Sequence, residues 1–161
     1  MLTCRHPVDT RPLVAWFRTE KQRVADELDA LSIQYRRLVR QLEAHAKRAP
    51  YPQVGERMRE VLAAEDANRN RIVARLQTLG RRASERNGGD EVRGGRNAWE
   101  RLIANLEEYR GLVRRLSELE LRWHDHHPED AEFMRGLRES ALRHRDTIVD
   151  LIARSDPHAI D

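Results

Sequence analysis

Two stretches of this chain, 74 residues apart, have nearly the same sequence, and this repeat limits the possible folds more than any other feature. Residues 35–43 read YRRLVRQLE and residues 109–117 read YRGLVRRLS, so six of nine positions are identical. Further matches follow at an offset of 76, where residues 58–59, 69 and 72–73 correspond to residues 134–135, 145 and 148–149. The chain is therefore predicted to contain two related supersecondary units.

Each unit reads as a pair of amphipathic helices, because apolar residues recur at steps of three and four. We predict a first helix that starts near Pro12 and ends near residue 49, and a second that follows residues 50–52 and ends near residue 79. The third is predicted from about residue 97 to 123 and the fourth from residue 128 to about 155. Pro50 and Pro52 separate the first two helices, and Pro128 is suited to the first turn of the fourth. The residues predicted to face the core are Val24, Leu28, Leu31, Tyr35, Leu38, Leu42, His45, Val54, Met58, Val61, Ile72, Leu76, Leu79, Leu102, Leu106, Tyr109, Leu112, Leu116, Leu119, Trp123, Met134, Leu137, Ile148 and Leu151.

A glycine-rich connection joins the two helical hairpins. Residues 80–96 contain five of the eight glycines and almost no apolar side chains. Fully extended, this stretch reaches roughly 55 Å, which exceeds the roughly 40 Å length of a 27-residue helix. The predicted fold class is all-α: one four-helix bundle of two repeated antiparallel hairpins joined by a long crossover linker. Its predicted parts are a lead-in (1–12), a first hairpin (13–79), the linker (80–96), a second hairpin (97–155) and a tail (156–161).

Composition narrows the class of protein further. The 161 residues include 35% charged residues and a single cysteine, Cys4, which excludes an intrachain disulfide and a multi-cysteine metal site. No run of 18 apolar residues occurs, so we expect no membrane span and a cytoplasmic location. Basic and acidic residues alternate and leave a net charge of only +3, which is typical of solvated helix faces. The one local basic excess lies at Arg36, Arg37, Arg40, Lys47 and Arg48.

Polar residues interrupt the apolar stripes of helices 2 and 4. Glu65 and Asn68 occupy such positions on helix 2, and the repeat aligns them with Ala141 and His144 on helix 4. The chain here resembles the ferritin-like superfamily, over about residues 24–154. Members hold two metal ions with one Glu from each of two helices and a Glu-x-x-His motif from each of the other two. In this chain the first motif reads Glu65-x-x-Asn68 and keeps only the Glu. The second reads Ala141-x-x-His144 and keeps only the His.

The resemblance implies a metal site, but the residues do not complete one. Glu65 is the only carboxylate on the inward stripes, and a di-iron site needs several. Three interpretations remain open: a hydrogen-bonded core cluster, a single-metal site formed by Glu65 and His144, and a small-ligand pocket. The candidate core residues are Tyr35, Glu65, Asn68, Asn105, Tyr109 and His144.

Two other groups of residues are candidates for function. His124, His126 and His127 lie between helices 3 and 4 beside acidic residues, which suits either a surface metal site or a solvated turn. Trp16 and Phe17 have no counterpart in the second repeat, which suits either a cap on the end of the bundle or burial in a second subunit. Of these two we predict the homodimer contact.

We therefore expect a non-enzymatic bundle that acts as a dimer or as a partner- or ligand-binding module. No cofactor is expected. The first alternative is a metal-binding ferritin-like oxidase or storage protein that uses Glu65 and His144. The second is a nucleic-acid-associated protein that uses the first helix's cluster of Arg36, Arg37 and Arg40 together with the arginines of the linker.

Overall fold

The computed structural model of the protein contains four helices: α1 (Arg11–Lys47), α2 (Pro52–Thr78), α3 (Ala98–Trp123) and α4 (Pro128–Ala153). It describes residues 11–85 and 92–155, with the backbone alone for residues 11–18. Within these ranges no strand is present. The helix limits agree with the predicted ones to within about two residues, so the all-α four-helix class is confirmed.

The helix ends follow from local sequence chemistry. Asn97 caps α3, because its side chain accepts a 2.9 Å hydrogen bond from the backbone N–H of Glu100. Proline occupies the first turn of both α2 and α4. After α2, Gly80 has a φ of 78°, a left-handed conformation that glycine adopts without strain. This turn lets the N–H of Arg81 donate to the carbonyl of Leu76, which closes the helix in a Schellman motif.

Each helix packs closely on its hairpin partner, α1 on α2 and α3 on α4, and narrower interfaces join α1 to α3 and α2 to α4. The helix α1 runs antiparallel to α3, since Gln41 contacts Asn105 at one end and Glu27 contacts Arg122 at the other. The helices α2 and α4 are antiparallel as well. It follows that α2 and α3, which lie diagonally opposite each other, point in the same direction.

The connection between α2 and α3 must therefore span the bundle from end to end. On its first described flank, Arg81 forms an ion pair with Asp26 near the start of the packed part of α1. On its second flank, the carbonyl of Arg93 lies 2.9 Å from Nε2 of His45, near the end of α1. Nineteen helical residues separate these two contacts, or about 28 Å. The two flanks thus lie at opposite ends of the bundle, as the predicted crossover requires.

The apolar stripes meet in one core. Every residue that the spacing assigns to the core is buried, except Leu79, which is partly buried at the end of the bundle. Tyr35 and Tyr109, the aligned tyrosines of the repeat, are both fully buried. Several polar side chains lie within this core, and they form the candidate site.

A polar cluster in the bundle core

The centre of the cluster is Glu65, whose side chain has no solvent exposure. Its Oε1 accepts hydrogen bonds from the Tyr109 hydroxyl at 2.8 Å and from Nδ1 of His144 at 2.7 Å. Its Oε2 accepts a third hydrogen bond from Nδ2 of Asn68 at 3.0 Å. A buried carboxylate needs such donors, because burial removes its hydration.

Helix geometry explains how these groups reach one another. Glu65 and Asn68 are three residues apart on α2 and share a face. His144 projects from α4, and Tyr109 reaches across the core from α3. The second Nδ2 contact of Asn68 is with Oγ of Ser140 on α4, at 3.0 Å. Three helices therefore contribute to the hydrogen bonds around one carboxylate.

Two side chains connect the cluster to the protein surface. Nη1 of Arg71 donates to Oδ1 of Asn68 at 3.3 Å, and its guanidinium lies over the Phe133 ring at 5.3 Å from the centroid. The His144 side chain is 14% exposed and meets the Tyr109 ring edge-on.

The Tyr35 hydroxyl is buried in the same region but has no hydrogen-bond partner among the residues that the structure describes. The repeat explains this difference between the two tyrosines. Tyr109 donates to Glu65, whereas the repeat equivalent of Glu65 is Ala141, which offers no acceptor. Burial raises the pKa of Tyr35 well above 10.0, and the negative charge of Glu65 raises it further, while Arg71 lowers it. The pKa of Tyr109 is also well above 10.0, through burial first and then through Glu65.

Asn105 does not belong to this cluster, although the stripe pattern grouped it with Glu65. Its Oδ1 lies 2.9 Å from Nε2 of Gln41 and 3.0 Å from Nδ1 of His45, so it forms a second polar group nearer the end of the bundle. The reason is the antiparallel packing of α1 and α3, which brings Asn105 level with Gln41 and His45 of α1.

His45 connects this second group to the crossover linker. Its Nε2 lies 2.9 Å from the backbone carbonyl of Arg93. The pKa of His45 is lowered from 6.5, mainly by burial, with Arg101 and Arg48 lowering it further and the bonds to Arg93 and Asn105 opposing the shift. Both ring nitrogens face oxygen acceptors, Oδ1 of Asn105 and the carbonyl of Arg93, and a neutral ring, which has one N–H, can donate to only one of them. The sequence assigned His45 a packing role and gave no signal of this contact.

The histidines of the α3–α4 turn lie apart from the core. His124 and His126 are exposed, and Nε2 of His127 lies 3.8 Å from a carboxylate oxygen of Glu20. Across the part of the chain that the structure describes, no three His, Cys, Asp or Glu side chains are grouped so that they could hold a metal ion.

The predicted basic surface on α1 is largely engaged in contacts within the chain. Nη2 of Arg36 donates to the carbonyl of Ser84 at 2.8 Å, and Nη2 of Arg37 pairs with Glu108 at 2.7 Å. These arginines fasten the linker and α3 to α1. The side chains of Trp16 and Phe17 lie outside the described residues, so their dimer contact stays a prediction.

No protein-family model matches this sequence, and no curated protein is detectably similar to it. Among the helices of the described ranges, none is both long and apolar enough to cross a bilayer.

Proposed function

We propose that this protein is a non-catalytic helical bundle of ferritin-like ancestry, whose polar core is structural and which acts through its surface as a dimer or ligand-binding module. The observation that carries the proposal is the hydrogen bonding of Glu65. Three side chains of the protein donate to its two oxygens, so the carboxylate is stabilised without an ion.

The donor set supports the same proposal. A site with two metal ions requires several carboxylates to balance the charge of the ions, and Glu65 has a single imidazole and neutral hydroxyl and amide groups around it. Ala141 stands where the repeat would place a second carboxylate. The connectivity of two hairpins and one crossover supports the ferritin-like ancestry.

The competing function, a metal-dependent oxidase or storage protein, has one specific observation in its favour. Nδ1 of His144 and Oε1 of Glu65 lie 2.7 Å apart. Imidazole and carboxylate are ligands that suit several transition metals. The two tyrosine hydroxyls are further oxygen donors in the same region. A cation between Glu65 and His144 would replace the proton that they share.

Metal analysis of untagged protein distinguishes the two functions. We expect metal well below one equivalent and an unfolding midpoint that a chelator does not change. A stoichiometric transition metal that is lost in Glu65→Gln and retained in His124→Ala would overturn the proposal. The exposed His124 is the matched control, because it removes an imidazole far from the core.

A further inference from the structure

A groove of about 610 Å³ lies between α1 and α3, beside the second flank of the linker. Its lining includes three small or apolar residues, here called the floor: Ala30, Ile33 and Gly111. The other lining residues are polar or charged: Gln34, Arg37, Arg93, Glu107, Glu108 and Arg115.

Gly111 has no packing reason to be glycine. It lies in the interior of α3, where glycine costs about 1 kcal/mol relative to alanine. A Cβ atom added to it would meet nothing within 4 Å, so no neighbour requires its small size. Its repeat counterpart is Arg37, one of the largest side chains. The effect of glycine at this position is to keep the groove open.

The three arginines are held in place by partners that leave donors available. Arg37 and Arg93 both pair with the buried Glu108, at 2.7 and 3.3 Å. Arg115 contacts Gln34 at 3.1 Å and Glu27 at 3.3 Å through two different nitrogens. A guanidinium has five N–H groups, so each arginine has more donors than these contacts use.

The charges around the groove favour an anion. The lining holds three arginines and two glutamates, Glu107 and Glu108, which leaves one net positive charge. Glu107 also accepts from Arg110, which lies outside the groove, at 2.6 Å. Guanidinium groups bind phosphate and carboxylate in paired, directional hydrogen bonds.

We propose that the groove between α1 and α3 binds a small multivalent oxyanion, phosphate- or carboxylate-bearing, over Gly111 and between Arg37, Arg93 and Arg115. This inference rests on the proposed binding function and names its ligand class. The ligand contacts the arginines through its oxygens and covers the apolar floor with its body.

Calorimetric titration with pyrophosphate, ATP and citrate tests the inference. We expect at least one of them to bind with one site per chain, and Arg115→Gln to weaken binding about tenfold or more. The matched control is Arg114→Gln, which removes the same charge from the next, exposed position of α3. Equal weakening in both variants would overturn the assignment, because a general charge effect would then explain the binding.

A second pair of variants blocks the groove without removing charge. Gly111→Leu fills the floor and is expected to abolish binding while the protein remains folded, whereas Ser117→Leu adds the same side chain to an exposed position of α3 and leaves binding unchanged. Absence of binding of all three anions to the wild-type protein would overturn the inference, as would binding of a single-stranded oligonucleotide alone. These binding results do not test the role of Glu65. That role is tested separately, by the metal analysis described above.

Discussion

Nδ1 of His144 lies 2.7 Å from Oε1 of Glu65, and the two residues come from opposite halves of the repeat. Each half of the chain contributes one member of the pair, so the contact joins α2 of the first hairpin to α4 of the second. The buried carboxylate thus links the hairpins at the level where the narrow α2–α4 interface gives them few other contacts.

Replacing this carboxylate with an amide is expected to weaken the fold. In Glu65→Gln one oxygen becomes an NH₂ group, which faces a donor from His144, Tyr109 or Asn68 instead of accepting from it. Leaving buried donors without an acceptor costs about 2–3 kcal/mol. Urea unfolding measures this loss. Asp66→Asn is the matched control, since Asp66 is 48% exposed and makes a surface pair with Arg69. Equal losses of unfolding free energy in the two variants would show that the buried contacts of Glu65 stabilise the fold no more than a surface ion pair does.

The two aligned tyrosines are expected to differ in what their hydroxyls contribute to stability. Tyr109→Phe removes a hydrogen bond to a charged group and should lower the free energy of unfolding by about 2 kcal/mol. Tyr35→Phe removes a buried hydroxyl that has no partner, so the change should lie within about 0.5 kcal/mol of zero or increase stability.

Each tyrosine variant is the control for the other, because both rings are fully buried at aligned positions. Parallel urea unfolding curves give the comparison directly. A loss in Tyr35→Phe as large as that in Tyr109→Phe would contradict the proposed origin of the difference, the presence of Glu65 on α2 and Ala141 on α4.

His45 is expected to make the fold sensitive to mild acid. Because burial lowers the pKa of His45 below 6.5, the unfolded chain binds its proton more readily than the folded protein does. The stability due to this group is therefore complete above about pH 6.5 and is lost as the pH falls through the lowered pKa. Unfolding of wild type and His45→Gln should be compared between about pH 7 and pH 5, the range in which histidine titrates. The advantage of the wild type should shrink with falling pH, and a constant difference would refute the prediction.

The repeat and the spacing of apolar residues predicted the helices, their core faces and the depth of Tyr35 and Tyr109. They also placed Glu65, Asn68 and His144 on inward faces, because a stripe specifies which side of a helix a residue occupies. A stripe does not specify which residue of a neighbouring helix lies at the same level. The position of Asn105 beside His45 depends on the register between α1 and α3, which is set by the packing of whole hairpins.

Ser140 shows a second limit of the sequence pattern. It lies one position before Ala141 and is not part of the α4 stripe, yet its Oγ lies 3.0 Å from Nδ2 of Asn68. The partner of Ser140 is identified by the antiparallel register of α2 and α4, and the spacing of residues within α4 contains no information about it.

Gly111→Ala is expected to stabilise the protein. Alanine favours a helix interior by about 1 kcal/mol over glycine, and the added Cβ meets no atom within 4 Å. The free energy of unfolding should therefore rise by up to about 1 kcal/mol, measured by urea unfolding. Gly95→Ala gives the opposite comparison, because a Cβ there would lie 2.7 Å from the backbone N of Arg101 and should destabilise the fold. If Gly111→Ala lowered stability, the packing of α3 would require glycine at position 111. The open groove would then no longer be needed to explain why this residue is glycine.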